Sequence, residues 1–403
     1  MSLLPVAEAI DRIVGDVDPL SAETVAIADA HDRVLAEPLV ARRDQPPFPA
    51  SAMDGYAVRA SDATAGARLT VIGTAAAGDR FGGAVSPGEA VRIFTGAPVP
   101  PGADTILIQE NAERLDENTV LVREPPEQGR HIRMAGLDFR ADDGLLGAGS
   151  RLTPSQIALA AAMGYGALPV RRRPIVAIVA TGDELVPPGA EPGPDQIVSS
   201  NSVGVAAIVR DAGGAPHDLG ITADEPSALA RSIAAAEAIS ADILVTLGGA
   251  SVGDHDLVQK ALLDAGMTLD FWRIAMRPGK PLMFGRLGDR RVLGLPGNPV
   301  SAMVCGLLFL KPLVGALLGR PRVDPTEAAV LGAPMPANQA RQDYVRARFG
   351  ETSDGRPLAT PLPVQDSAML TVLAEADCLI VREPHAEPSW PGDPCQIIRL
   401  RGR

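Results

Sequence analysis

The sequence predicts a multidomain chain of α/β plus β class, centred on a doubly wound, mostly parallel α/β domain. Three observations carry this. Apolar runs at 175–180, 243–247 and 292–295 have the length and β-branched content of strands buried on both faces. Helical patterns alternate with them, as at 202–212 before Gly213-Gly214. Elsewhere, 41 Gly and 37 Pro punctuate short β-branched runs, which favours small β domains over a helical bundle.

Taken in order, residues 1–43 begin with Val6, Ile10, Ile13 and Val14 at helical spacing, and a helical segment is expected until Pro46, Pro47 and Pro49. Short runs at 69–72, 91–94, 105–108 and 119–122 read as a small β domain. Thr153-Pro154-Ser155-Gln156 then offers an N-cap, a first-turn proline and a capping box, with Gly164 as a stop. The expected organisation is a helical linker domain (1–44 and 141–172), an inserted β domain (45–140), the α/β domain (173–322) and a C-terminal β domain (323–403). In the last, 344–349, 378–381 and 396–400 read as strands. The apolar stretch 300–319 is broken by Lys311 and Pro312 and reads as a buried helix, not a membrane span. Arg171, Arg172 and Arg173 read as a solvated strand entry.

Composition narrows the function classes. At 46% hydrophobic and 21% charged, the 403 residues resemble an ordinary globular chain, not a disordered one. Only 3% are aromatic, so Ala, Val, Ile and Leu must build the cores. A net charge of −12 argues against a general nucleic-acid or anionic-membrane partner. Cys305, Cys378 and Cys395 show no CxxC spacing, which fits a reducing compartment. The N-terminus lacks the cationic segment of a signal peptide. A soluble, cytoplasmic protein is expected.

Ligands of open parallel sheets bind beyond the strands' carboxyl ends, and three such ends carry unusual loops. Asp183 and Glu184 follow the first; they suit Mg²⁺, or a plain salt bridge. The second, Gly248 to Asp256, can bring backbone N–H groups to an anion, with Asp256 serving a metal; a tight turn with an acidic cap is the structural alternative. Its Gly249-x-Ser251-x-Gly253 also spells a nucleophile elbow. Only His255 and His385 follow Ser251, however, and no oxyanion segment precedes it, which disfavours a hydrolase. The third, Leu295-Pro296-Gly297-Asn298-Pro299-Val300-Ser301, is a rigid helix start suited to phosphate or to stiffness alone. Arg273, Arg277 and Lys280 suit oxyanions, with solvated charge as the alternative. Ser51-Ala52-Met53-Asp54-Gly55-Tyr56 stands out in a proline-rich loop, where an ordinary turn would also fit. Walker A, GxGxxG and HExxH motifs are absent from the sequence.

Together these strings resemble the MoeA family of molybdopterin molybdenumtransferases, related to the gephyrin E domain. The matching segments are PPFPASAMDGYAVR (46–59), IFTGAP (93–98), ATGDEL (180–185), SNSVGV (200–205), LGGASVGDHD (247–256), FWRIAMRPGKP (271–281) and GLPGNPVSA (294–302), in family order. The resemblance implies a four-part, elongated homodimer that inserts molybdate into adenylated molybdopterin with Mg²⁺, releasing AMP. It makes 173–322 a molybdopterin-binding domain, and a molybdopterin adenylyltransferase and apo-molybdoenzymes its partners. It assigns catalysis to Asp54, Asp138, Glu184 and Asp256, and the metal to Glu184, Asp256 and Asp224. Ligand-binding positions are Thr95, Gly248, Gly249, Ser251, Arg273, Arg277, Lys280, Pro296, Asn298, Ser301, Arg346 and Ser367. Asp54 is expected to complete an oxyanion site across the dimer interface. Arg273 and Arg277 replace the family's usual Lys, which keeps charge but not proton transfer. Ala250 stands for Val, and Pro49-Ala50 for a more polar pair. The competing expectations are a non-catalytic cofactor carrier or scaffold, and an adenylyltransferase.

Overall fold

The computed structural model describes residues 3–249 and 257–400. The chain divides into two compact units. The larger comprises Met1–Glu23, Asp32–Ala36 and Val170–Arg403, and the smaller Thr24–His31 and Glu37–Pro169.

A six-stranded sheet organises the larger unit, in the order Ala215–Thr222, Ile175–Thr181, Ile243–Leu247, Arg290–Leu295, Met283–Leu287, Thr268–Trp272. The first four are parallel and the last two join antiparallel. Ile243–Leu247 is buried at every position, as its unbroken apolar sequence demands. Alternate side chains feed two cores. Ile178, Val245 and Leu293 face one, and Ala177, Leu244 and Val292 the other. Asn201–Ala212 ends where Gly213 turns left-handed at φ +99°.

The apolar stretch near the third loop forms a continuous helix, Pro299–Leu317, with most of its surface inside the core. Val304, Phe309 and Leu313 are fully buried there. Its middle, Gly306–Leu310, is π-helical just ahead of Lys311 and Pro312. Widening the turn there accommodates a proline that cannot donate an N–H.

Downstream, five strands close into a ring: Gln342–Glu351, Pro357–Pro361, Thr326–Leu331, Pro394–Arg399 and Cys378–Arg382, the last pairing back to the first. Small and aliphatic side chains fill it, among them Leu331, Ala347, Ala359, Cys378 and Ile397. Met276–Arg277 adds to Gln342–Glu351 in parallel. The smaller unit has its own six-stranded mixed sheet, with Gly55–Val58 paired to both Glu89–Ile93 and Thr105–Ile108.

Three expectations change. The first helix is only Val6–Val14, and the chain then turns to short strands; Asp16-Val17-Asp18-Pro19 interrupts the helical pattern. Its buried Val6, Ala9 and Ile13 pack into the core of the larger unit, whereas Pro154–Ala162 lies in the smaller one. In 141–172 only that nine-residue helix forms, with the Thr153–Gln156 capping box in place, and Ala167–Arg171 is strand. Finally, the three arginines are not a solvated entry. Arg171 donates to the carbonyls of Leu20 (2.7 Å) and Ala36 (3.3 Å). Arg172 forms a bidentate pair with Asp242, at 2.7 and 2.8 Å.

Asp242 also accepts the Ile175 N–H through its side chain at 2.8 Å, and its carbonyl accepts the Arg291 N–H at 3.0 Å. One carboxylate thus anchors the start of the sheet. Asp242→Ala strands a guanidinium and a backbone donor, and should cost about 2–4 kcal/mol in urea unfolding. Asp242→Asn, which keeps an acceptor, should cost about half as much.

Candidate active site

Register brings four strand ends level. Thr181 pairs with Thr222, and Leu247 pairs with both Ala180 and Leu295. The chain leaves Ile175–Thr181 toward neighbours on both sides, so the crevice beside Ile243–Leu247 is the topological switch point. Gly248 and Gly249 sit there at φ +95° and +64°. A Cβ on Gly248 would lie 2.8 Å from the Thr181 carbonyl oxygen, and one on Gly249 would lie 2.2 Å from Val258 Cγ2. Only glycine fits either position. Ser251 and Asp256, further along this loop, lie outside the described residues.

Asp183, Glu184 and Asp224 gather at the ends of the two neighbouring strands. The Asp224 N–H donates to Asp183 Oδ1 at 3.2 Å. Burial, then the charges of Asp183 and Glu184, push the Asp224 carboxyl above its ordinary value. An all-oxygen donor set under mutual repulsion suits a hard divalent cation. Among the described residues no three His, Cys, Asp or Glu side chains form a complete ligand group.

On the other side of the crevice, Asn201 Nδ2 holds the Gly297 carbonyl at 2.7 Å. Pro299 opens the helix, and Val300 supplies one of its early unpaired N–H groups. That N–H is already taken by the Ser367 carbonyl at 3.0 Å, while Asn298 Nδ2 reaches Ser367 Oγ at 3.2 Å. Ser301 is buried. The helix start is thus partly closed by the 362–369 segment, and the exposed groups expected there reduce to Gly297 and Asn298. Gln365 fixes that segment: it accepts the Arg346 N–H (2.9 Å) and donates to the carbonyls of Arg346 (2.9 Å) and Leu362 (2.8 Å).

The basic segment is closed at its neck by Arg273 N–H to Leu282 carbonyl (3.1 Å) and Ile274 N–H to Lys280 carbonyl (3.0 Å). Arg273 is exposed, stacks on Trp272 and sits at φ +97°, a strained backbone for a side chain of this size. Arg277 pairs with the buried Asp343 while about half of its side chain stays exposed. Arg346 is only 2% exposed and donates to the carbonyls of Asp366 and Tyr344. It supports the Ser367 segment from below the surface.

In the smaller unit, Asp54 Oδ1 accepts the Thr95 N–H (2.8 Å) and hydroxyl (2.7 Å). Those two bonds, with Arg92 nearby, hold the carboxyl below its ordinary value. Asp138 lies on an exposed turn whose N–H meets the Gln45 carbonyl at 2.9 Å, and it takes no part in the Asp54–Thr95 pair.

Sequence comparison agrees with this layout. The description "MoeA N-terminal region (domain I and II)" matches residues 4–164, "Probable molybdopterin binding domain" 177–316 and "MoeA C-terminal region (domain IV)" 328–400. A Haemophilus influenzae protein named molybdopterin molybdenumtransferase is 33% identical, over 91% of this chain and 90% of its own length. A Bacillus subtilis protein of the same name is 34% identical over 99% and 94%. The chain belongs to the MoeA family. It is an enzyme of molybdenum cofactor biosynthesis. A solved structure of the molybdopterin biosynthesis MoeA protein from Pyrococcus horikoshii matches at TM-score 0.84 and 26% identity, over 99% of this chain and 100% of that one.

Within the MoeA frame, the sequence had singled out Glu184, Gly248, Gly249, Arg273 and Lys280, and the structure places them on loops of one sheet domain. It had not singled out Asp183 as a neighbour of Asp224, nor Gln365 as the fastener of Ser367. Gln365 carried a signal only as part of the Gln365-Asp366-Ser367 match.

The raised Asp224 carboxyl has a thermodynamic sign. Its contribution favours the fold at low pH and is lost as pH rises through the raised native value. Asp224→Asn should therefore raise the melting temperature at neutral pH without divalent cations. The gain should vanish below the ordinary carboxyl value of 3.8, and saturating Mg²⁺ should stabilise the wild type more than the variant.

Proposed function

We propose that this chain inserts molybdate into adenylated molybdopterin and releases AMP, with Mg²⁺ as the metal. The observation that carries the reading is the glycine crevice at the level strand ends, with carboxylates at one side and a basic segment and helix start in the same unit. Molybdate and the pyrophosphate of the substrate are both oxyanions; Arg273 offers exposed donors for them and Lys280 a half-buried ammonium. Arg277 keeps one arm on Asp343 and presents the rest of its fork in a fixed orientation. Gly248 and Gly249 allow the backbone to approach the ligand closely. Glu184 and Asp224, with Asp256, would hold Mg²⁺, which supplies charge neutralisation on the pyrophosphate. In cleavage of the anhydride, water adds to a phosphorus as the bridging P–O bond breaks, so that AMP leaves and each side keeps a complete phosphate; the step asks mainly for such positioning and neutralisation.

Asp54 enters this reading differently from the oxyanion role expected of it. A carboxylate held ionised by Thr95 repels molybdate and phosphate, so its partners must be donors. We place the protein in the cytoplasm as a homodimer, between a molybdopterin adenylyltransferase and the apo-molybdoenzymes that take its product.

Anaerobic AMP release from adenylated molybdopterin, with and without molybdate, tests the reaction. Molybdate-dependent release, with product able to activate an apo-molybdoenzyme, is expected. Tight binding with no release would establish a carrier instead. Arg273→Gln should lower kcat/KM roughly tenfold to a hundredfold with no change in melting temperature, since its guanidinium is exposed. Arg277→Gln should lower both, because Asp343 loses its counter-ion.

A further inference from the structure

One edge of the smaller unit carries more than a single carboxylate. Register sets Tyr56 opposite Arg92 and Gly55 opposite Ile93. The Arg92 guanidinium lies 5.1 Å from the Tyr56 ring centre and 4.9 Å from that of Phe94. It also donates to the Gly55 carbonyl (3.1 Å) and to Gln109 Oε1 (2.9 Å), so it is fully tied into the sheet. Asp54 precedes Gly55 and Phe94 follows Ile93 at the paired ends of these two antiparallel strands, and Thr95, the next residue, grips Asp54 Oδ1 twice. Two features are left open. Asp54 Oδ2 receives no hydrogen bond from the described residues. Phe94 is 39% exposed, as is neighbouring Met53, although aromatic side chains in this chain are few.

An ionised carboxylate with a fixed orientation beside an exposed aromatic face selects by donor pattern. The substrate of the preceding section offers three kinds of group. Its oxyanions are repelled. Its adenine presents an amino donor next to a ring-nitrogen acceptor, whose lone pair would face the carboxylate. Its pterin presents an amino N–H and a ring N–H side by side, both donors, on a flat ring that can stack.

We propose that Asp54 and Phe94 form the subsite for the pterin ring, with Asp54 Oδ2 accepting from the pterin's donor edge and Phe94 flanking its face. Thr95 and Arg92 are positioning residues: Thr95 aims the carboxylate, and Arg92 braces Phe94 against Tyr56. The assignment rests on the substrate proposed above.

The test is equilibrium binding of adenylated molybdopterin, followed anaerobically by pterin fluorescence with no molybdate present. Asp54→Asn and Phe94→Ala should each weaken binding roughly tenfold or more. Phe94→Tyr should restore it, and the affinity for AMP alone should not change in any variant. Both side chains are at the surface, so unaltered melting curves should accompany these losses. Equal loss of AMP affinity would assign the edge to adenine. Unchanged binding in Asp54→Asn, with a raised KM for molybdate, would move Asp54 to the metal. Either result overturns the proposal. A wild type that binds through Asp54 and Phe94 but releases no AMP would defeat the insertion reading and leave the subsite standing.

Discussion

Hydrogen-bond register across four parallel strands levels their carboxyl ends, and the chemistry of the larger unit is arranged along that line. Leu247 pairs with Ala180 on one side and Leu295 on the other, so the loops after all three emerge together. A slip of one residue in any strand would turn its buried side chains toward the opposite core. The same slip would lift its loop out of line with the others. Asp242 guards the register from the opposite end, through Arg172 and the Ile175 N–H. The acids, the glycine crevice and the helix start are therefore placed by pairing along the whole length of the strands that lead to them.

The sequence was legible wherever a local rule decides the outcome. Ile243–Leu247 has the bounds its apolar run implied, and Thr153 caps its helix as the Thr-Pro-Ser-Gln string implied. Thr105–Ile108 and Thr119–Val122 also fall where β-branched runs placed them. Illegible were the features that need a partner distant in sequence. Arg172 looked like surface charge because Asp242 lies 70 residues away. The Val300 N–H looked free because the Ser367 carbonyl that takes it belongs to another part of the chain. Two-residue strands such as Leu39–Val40 leave too short a pattern to read at all, which is why the first 43 residues looked more helical than they are.

The candidate site shows the same division. Residue types announced Arg273, Lys280 and the glycines, because cationic side chains and glycine turns are local properties. Burial, by contrast, separates Arg346 from the exposed Arg273 and Arg277, and no spacing reports burial. Asp54 was visible as a motif residue, but its chemistry follows from Thr95, 41 residues on, whose two donors fix the charge state.

The long apolar helix has a consequence during synthesis. Pro299–Leu317 is apolar enough, over 19 residues, to pass for a membrane-crossing segment. A nascent chain that exposed it for long would invite aggregation or misdirected insertion. All six strands of the sheet that it packs against precede it in sequence, the last of them, Arg290–Leu295, only a few residues earlier. By the time the ribosome delivers the helix, the sheet it packs against has already been synthesised. The order of elements along the chain thus acts as its own chaperone for this long apolar helix.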